Sequence, residues 1–144
     1  TMKSGNFAYF EAYTSWWDHN FLWNAKATPE GIDPKTPLSK IELRYEVYLH
    51  ELPTIATTMT STITVFKQEK AGIPIVDRAT GETMPGQWMS VAVPLTEFAP
   101  SATTYADICA LNTGDGDFKI YLGYDNAGDF VIIAYDNFRL YVKE

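Results

Sequence analysis

From Lys40 to His50 the sequence alternates without a break: Ile41, Leu43, Tyr45, Val47 and Leu49 fall on one side, and Glu42, Arg44, Glu46, Tyr48 and His50 on the other. A period of two sustained over this length describes an antiparallel strand with one face packed and one face wet. Shorter strands are expected at Asn6–Tyr13, Ser61–Phe66, Ile73–Asp77, Gln87–Leu95, Tyr105–Leu111, Phe118–Tyr124 and Phe130–Val142. No segment holds a helical period of about 3.6 over the roughly ten residues that a helix needs.

Turn residues separate these runs, at Glu30–Pro34, Ala79–Glu82, Pro85–Gly86, Thr113–Asp117 and Asp125–Asp129. About eight short strands at such spacing imply an all-β sandwich or barrel. Asn126-Ala127-Gly128 suits a tight hairpin between neighbours in one sheet, and Asp136-Asn137 interrupts the long last run, where a bulge or kink is expected. No internal repeat or linker divides the chain, so residues 1–144 read as a single domain. A chain of this length buries about two-thirds of the surface that its unfolded form exposes, and needs no staple to fold.

Eleven basic residues stand against eighteen acidic ones, for a formal charge of −7. No Lys or Arg cluster offers the phosphate neutralisation that nucleic acid requires. Nothing approaches the apolar length of a membrane span, and Thr1-Met-Lys-Ser lacks a signal-peptide pattern, so the start reads as the trimmed edge of a longer protein. The single Cys109 excludes an internal disulfide and reads as a small hydrophobe in a core strand.

Aromatic residues make up 15% of the chain, four of them Trp, an excess that calls for a surface as well as a core. Tyr13–Asn24 sets five aromatics among polar residues without clean alternation, and reads as something other than a strand. Pyranose rings rest their C–H faces on flat aromatic rings while their hydroxyls take polar partners at the rim. Trp16, Trp17 and Trp23 would supply the faces, and Asp18, His19, Asn20 and Asn24 the hydrogen bonds. The alternative is a lid on the core: Trp16 and Trp17 must point apart in extended backbone, so at least one is expected to pack inward. Trp88 begins a strand on the face opposite Met89, Val91 and Val93, and reads as packing at a sheet end.

The chain reads as non-catalytic. A glycosidase needs two carboxyl groups across the sugar, and no such pairing is recognisable: Asp115, Asp117, Asp125 and Asp129 sit at turns, and Asp136 suits the bend beside Asn137. His19 and His50 are the only histidines, and no nucleophile elbow is present. One Cys and two His exclude zinc, and no cofactor is expected. Asn112–Asp117 is the leading candidate for a structural calcium ion, but it lacks EF-hand spacing and reads first as a hairpin turn.

The order of these pieces resembles the C-terminal xyloglucan-binding domain of the B-type surface glycan-binding proteins. The residues that carry the likeness are Gly5-Asn-Phe-Ala-Tyr-Phe10, the Trp cluster at 16–23, the Ile41–Leu49 strand, Gly86-Gln-Trp88, Val91-Ala-Val-Pro-Leu95 and Tyr135-Asp-Asn-Phe-Arg-Leu140. The resemblance implies a jelly-roll-type β-sandwich of two antiparallel sheets. It also implies non-catalytic binding of xyloglucan, β-glucan or a related hemicellulose on an aromatic platform. Further implied are a lipid-anchored protein at the outer-membrane surface of a bacterium, other domains of the same chain as partners, and a glycan importer that receives the polysaccharide. Trp16, Trp17 and Trp23 match the family's aromatic loop, whereas residues 52–62 are Thr-rich where a further ring would stand. The rival reading is a structural or adhesion module whose aromatic loop packs against a neighbouring domain or protein.

Overall fold

The computed structural model describes residues 8–12, 21–25, 31–50, 60–113, 118–125 and 131–144, with backbone alone for 8–12, 21–25, 118–125 and 131. Among them eight strands form two four-stranded sheets. The first takes β1 (Ala8–Ala12), β8 (Val131–Val142), β3 (Ile41–Leu49) and β6 (Trp88–Pro94) in that order. The second takes β2 (Phe21–Ala25), β7 (Phe118–Asp125), β4 (Thr60–Val65) and β5 (Gln68–Pro74). Every pairing is antiparallel, and the chain is the all-β sandwich that the strand spacing predicts.

The alternation of β3 survives intact: Ile41, Leu43, Tyr45, Val47 and Leu49 are buried. Met89, Val91 and Val93 of β6 join them from the same sheet, and Ile63, Val65 and Ile73 are buried from the second. Each fully buried aliphatic side chain here contributes about 1.5–3 kcal/mol relative to exposure. A 2.7 Å hydrogen bond between the Tyr135 hydroxyl of β8 and Ser61 Oγ of β4 ties the two layers, and the Tyr45 side chain of β3 also bonds Ser61.

The expected irregularity in β8 is a β-bulge. Its register against β3 shifts between Arg44 and Glu46, Asn137 takes the left-handed region at φ 57°, and its amide donates to Asp136 Oδ1 at 2.7 Å. The extra residue reverses the parity of the strand. Ala134 and Asp136 stand opposite Tyr48 and Glu46 before it, and Arg139 and Tyr141 stand opposite Arg44 and Glu42 after it. Even-numbered residues of β8 therefore share the face away from the core on one side of the bulge and odd-numbered ones on the other, although Ala134 and Asp136 are themselves covered. Phe138 turns inward and stacks on Tyr45, with ring centroids 5.0 Å apart.

Four expectations need correction. Tyr105–Leu111 is a helix, α1, rather than a strand. Thr104 and Asp107 form a capping box, in which the Asp107 amide donates to Thr104 Oγ1 and the Thr104 amide to Asp107 Oδ2, so two terminal donors are satisfied locally. Cys109 accordingly lies on a helix, partly exposed. Second, the strand placed at Ile73–Asp77 is β5, Gln68–Pro74, which follows β4 through a two-residue turn at Phe66-Lys67, φ 51° and 59°. Both values fit a primed hairpin turn without the usual Asn-Gly, and buried Phe66 meets Tyr105 edge-on at 6.1 Å. Third, Phe21–Ala25 is a strand. Fourth, β7 and β8 belong to different sheets, so the turn residues at 125–129 join two layers rather than neighbours in one sheet.

Candidate functional site

Of the residues singled out for sugar contact, Trp16, Trp17, Asp18, His19 and Asn20 lie outside the described residues. Trp23 and Asn24 lie on β2, at register positions opposite Ile120 and Lys119 of β7. The anchors of the segment between β1 and β2 are described. Ala12 pairs with Val131, the first residue of β8, and Phe21 pairs with Leu122 near the end of β7. At that same end of the sandwich β3 finishes at Leu49, β6 begins at Trp88 and β4 begins at Thr60. The connections from β1 to β2, β3 to β4 and β7 to β8 thus all join strand ends at one end of the molecule.

The wet face of the first sheet carries a row of aromatic positions near this end. Trp88 pairs with Tyr48, Tyr48 with Ala134, and Ala134 with Tyr9 of β1. Ser90 amide and carbonyl bonds run away from β3, to Asp77 and Arg78, so alternation makes Tyr48–Trp88 a non-hydrogen-bonded pair, the kind whose side chains approach most closely. Their rings lie 5.6 Å apart at an interplanar angle of 47°, both partly exposed. The small Ala134 beside them is only 2% exposed, covered by its neighbours. Trp88 does open the strand as the sequence suggests, packed on Tyr48, and it keeps part of its surface in water.

Further along, the same face becomes polar. Arg139 reaches Glu46 at 3.1 Å, Arg44 pairs with Glu42 at 3.0 Å, and Lys143 approaches Glu42 at 3.5 Å. The Arg44 guanidinium also lies over the Tyr141 ring, 3.4 Å from its centroid. Glu42 is thus shared by two cations, and the three cations and two carboxylates form a polar network across the face.

Tyr48 escaped notice in the sequence because an aromatic on the wet side of one strand says nothing until register places another beside it. The signal was the Trp at the start of Trp88–Pro94 together with the Tyr near the end of Ile41–Leu49, which face each other only if those two strands pair antiparallel.

Among the described residues, the groups whose titration is shifted have structural causes. Burial pushes the Cys109 thiol up, against reactivity. Asp107 is held at about 2 by the Thr103 hydroxyl and amide and by the Thr104 amide, a capping role. Amide donors from Ser90, Ala79 and Thr80 hold the Asp77 carboxyl below its ordinary range. Among the described residues no group of three or more His, Cys, Asp or Glu could hold a metal ion, and the calcium candidate at 112–117 falls largely outside them.

Three solved structures share the fold. A crystal structure of domains CD, residues 230–489 of its protein, aligns with a TM-score of 0.67 at 22% identity, covering 96% of this chain and 52% of that one. A structure with a xylogluco-oligosaccharide aligns with a TM-score of 0.66 at 21% identity, over 96% and 30%. SGBP-B from a complex xyloglucan utilization locus in Bacteroides uniformis aligns with a TM-score of 0.65 at 24% identity, over 96% and 39%. The chain thus spans about half or less of the length of these proteins. No curated protein matches it in sequence. The model of the surface glycan-binding protein B xyloglucan binding domain matches residues 1–142, and the chain belongs to that family.

Proposed function

We propose that this domain binds a neutral polysaccharide, xyloglucan or a related β-glucan or hemicellulose, without cleaving it. The observation that carries this reading is the family match over residues 1–142. Trp16, Trp17 and Trp23 serve as stacking faces, and Asp18, His19, Asn20 and Asn24 supply hydrogen bonds at the rim. The placement of Ala12 and Phe21 supports this, since the segment between them joins strand ends at the end of the sandwich that also bears Tyr48 and Trp88. The net charge of −7 favours a neutral glycan over pectin or alginate, whose carboxylates an acidic domain repels at low salt.

The domain works as part of a longer, lipid-anchored protein at the bacterial outer-membrane surface, holding glycan for an importer. This wider role follows the family and the structure of SGBP-B from a xyloglucan utilization locus. The test is electrophoresis of the purified domain through native gels containing xyloglucan, mixed-linkage β-glucan or pectin. Retardation by the neutral glycans alone, with no reducing ends released on incubation, is expected. Equal mobility in every gel, or accumulating reducing ends, contradicts the reading.

A further inference from the structure

An open cavity of about 480 Å³ lies along the outer edge of the first sheet, lined by Glu42 and Arg44 of β3, Ser90 and Ala92 of β6, and the turn at Asp77, Arg78 and Ala79. Its volume falls within the usual range for ligand sites. The floor is low because Ser90 and Ala92 are the small residues on the wet face of β6, following Trp88 at two-residue steps. Trp88 therefore stands at the head of a trough, two residues from Ser90, or about 7 Å along the strand.

The far wall is built to stay in place. Asp77 Oδ1 accepts from the Ser90 amide at 2.9 Å, Asp77 Oδ2 accepts from the Ala79 and Thr80 amides at 3.1 and 3.2 Å, and the Arg78 amide donates to the Ser90 carbonyl at 2.8 Å. The turn at 77–79 is thus fastened to β6 at Ser90, two residues before Ala92. By the alternation of the ladder, Ala92 turns its own N–H and C=O towards the same edge, beside Arg78. The near wall is equally held, with Arg44 bonded to Glu42 and stacked on Tyr141.

Two carboxylates, Glu42 and Asp77, face two guanidinium groups, Arg44 and Arg78. The trough carries donors and acceptors on both walls and no net charge, with an aromatic ring at one end. An anion or a cation meets a like charge on either wall, whereas an extended chain of neutral pyranoses finds hydroxyl partners along its length. Preorganised walls lower the ordering cost of binding such a chain.

We infer that this trough, from Trp88 to Ala92 between Arg44 and Arg78, is a second seat for the neutral polysaccharide, separate from the Trp16–Trp23 segment. The inference rests on the glycan-binding reading proposed above. Two surface variants test it without touching the core. Ala92→Gln fills the floor, and Arg78→Ala removes donors from the far wall. Isothermal titration with soluble xyloglucan and with mixed-linkage β-glucan, alongside thermal melts, reads the result. Each variant is expected to weaken binding by about tenfold, the size of losing a charge-assisted hydrogen bond or a chain contact, with an unchanged melting temperature. Wild-type affinity in both variants overturns the trough and leaves the glycan reading standing. A wild-type domain that binds neither polysaccharide overturns both.

Discussion

Arg139 meets Glu46 at 3.1 Å across the wet face of the first sheet, and the extra residue at Asn137 is what places it there. Without the bulge, the parity that sets Ala134 and Asp136 opposite Tyr48 and Glu46, on the face away from the core, would turn Arg139 and Tyr141 inward, against Tyr45 and the core. Asn137 tolerates φ 57° because its short polar side chain suits the left-handed region. Asn137→Gly is expected to preserve the melting temperature. Asn137→Val, with a branched side chain in a disfavoured conformation, is expected to cost about 1–3 kcal/mol in denaturant unfolding. Equal stability of the two variants would contradict the bulge.

Tyr135 and Ser61 form a polar tie between the sheets, and both are fully buried. Tyr135→Phe keeps the ring and removes the 2.7 Å bond while the Tyr45 side chain still partners Ser61, so a loss of about 0.5–1.5 kcal/mol is expected by denaturant titration. The double variant Tyr135→Phe with Ser61→Ala is expected to cost less than the sum of the two single losses, because Ser61→Ala already removes the bond that Tyr135→Phe breaks. Additive losses instead would show that the hydroxyls act independently.

Helix α1 depends on its cap. Thr104→Ala is expected to cost about 1 kcal/mol. Asp107, held at about 2 against an ordinary 3.8, makes the cap pH-sensitive with a definite sign. Its folded value is the lower one, so its contribution is complete above pH 3.8 and fades as the pH falls towards 2. Acid titration of stability should therefore be shallower in Asp107→Asn than in the wild type over that window. Parallel curves would remove Asp107 from the account.

The legible parts of the fold were those governed by periodicity and by local chemistry that repeats. Ile41–Leu49 showed its period of two, and Asp136-Asn137 broke an apolar run where the bulge stands. Three features stayed hidden for physical reasons. The capping box Thr104-Tyr-Ala-Asp107 was present in the sequence, but the apolar content of Tyr105–Leu111 fits a short strand and a short helix equally well. Phe66-Lys67 carries no Gly or Asn, and its turn is stabilised by tertiary contact with Tyr105, which no local rule reports. The turn at 125–129 announced a reversal but not which sheet receives the returning strand. The same limit applied to the site: Tyr48 and Trp88 are forty residues apart in sequence and become neighbours only through the register of β3 with β6.

Trp88 stands beside Tyr48 and two residues before Ser90 of the proposed trough. Trp88→Ala is expected to weaken xyloglucan binding by up to about tenfold, as loss of a ring contact costs on the order of 0.5–1.5 kcal/mol. The partly exposed ring should leave the melting temperature within a few degrees of wild type. A large fall in melting temperature with unaltered affinity would return Trp88 to pure packing.

The indoles of the N-terminal segment carry the central claim, and Trp23→Ala tests it most directly. Mobility of this variant and of the wild type is compared in native gels with and without xyloglucan, with melting temperatures measured on the same samples. Retardation of the wild type, lost in the variant at a nearly unchanged melting temperature, is the result the account predicts. A variant retarded as strongly as the wild type, or one that melts many degrees lower, contradicts it.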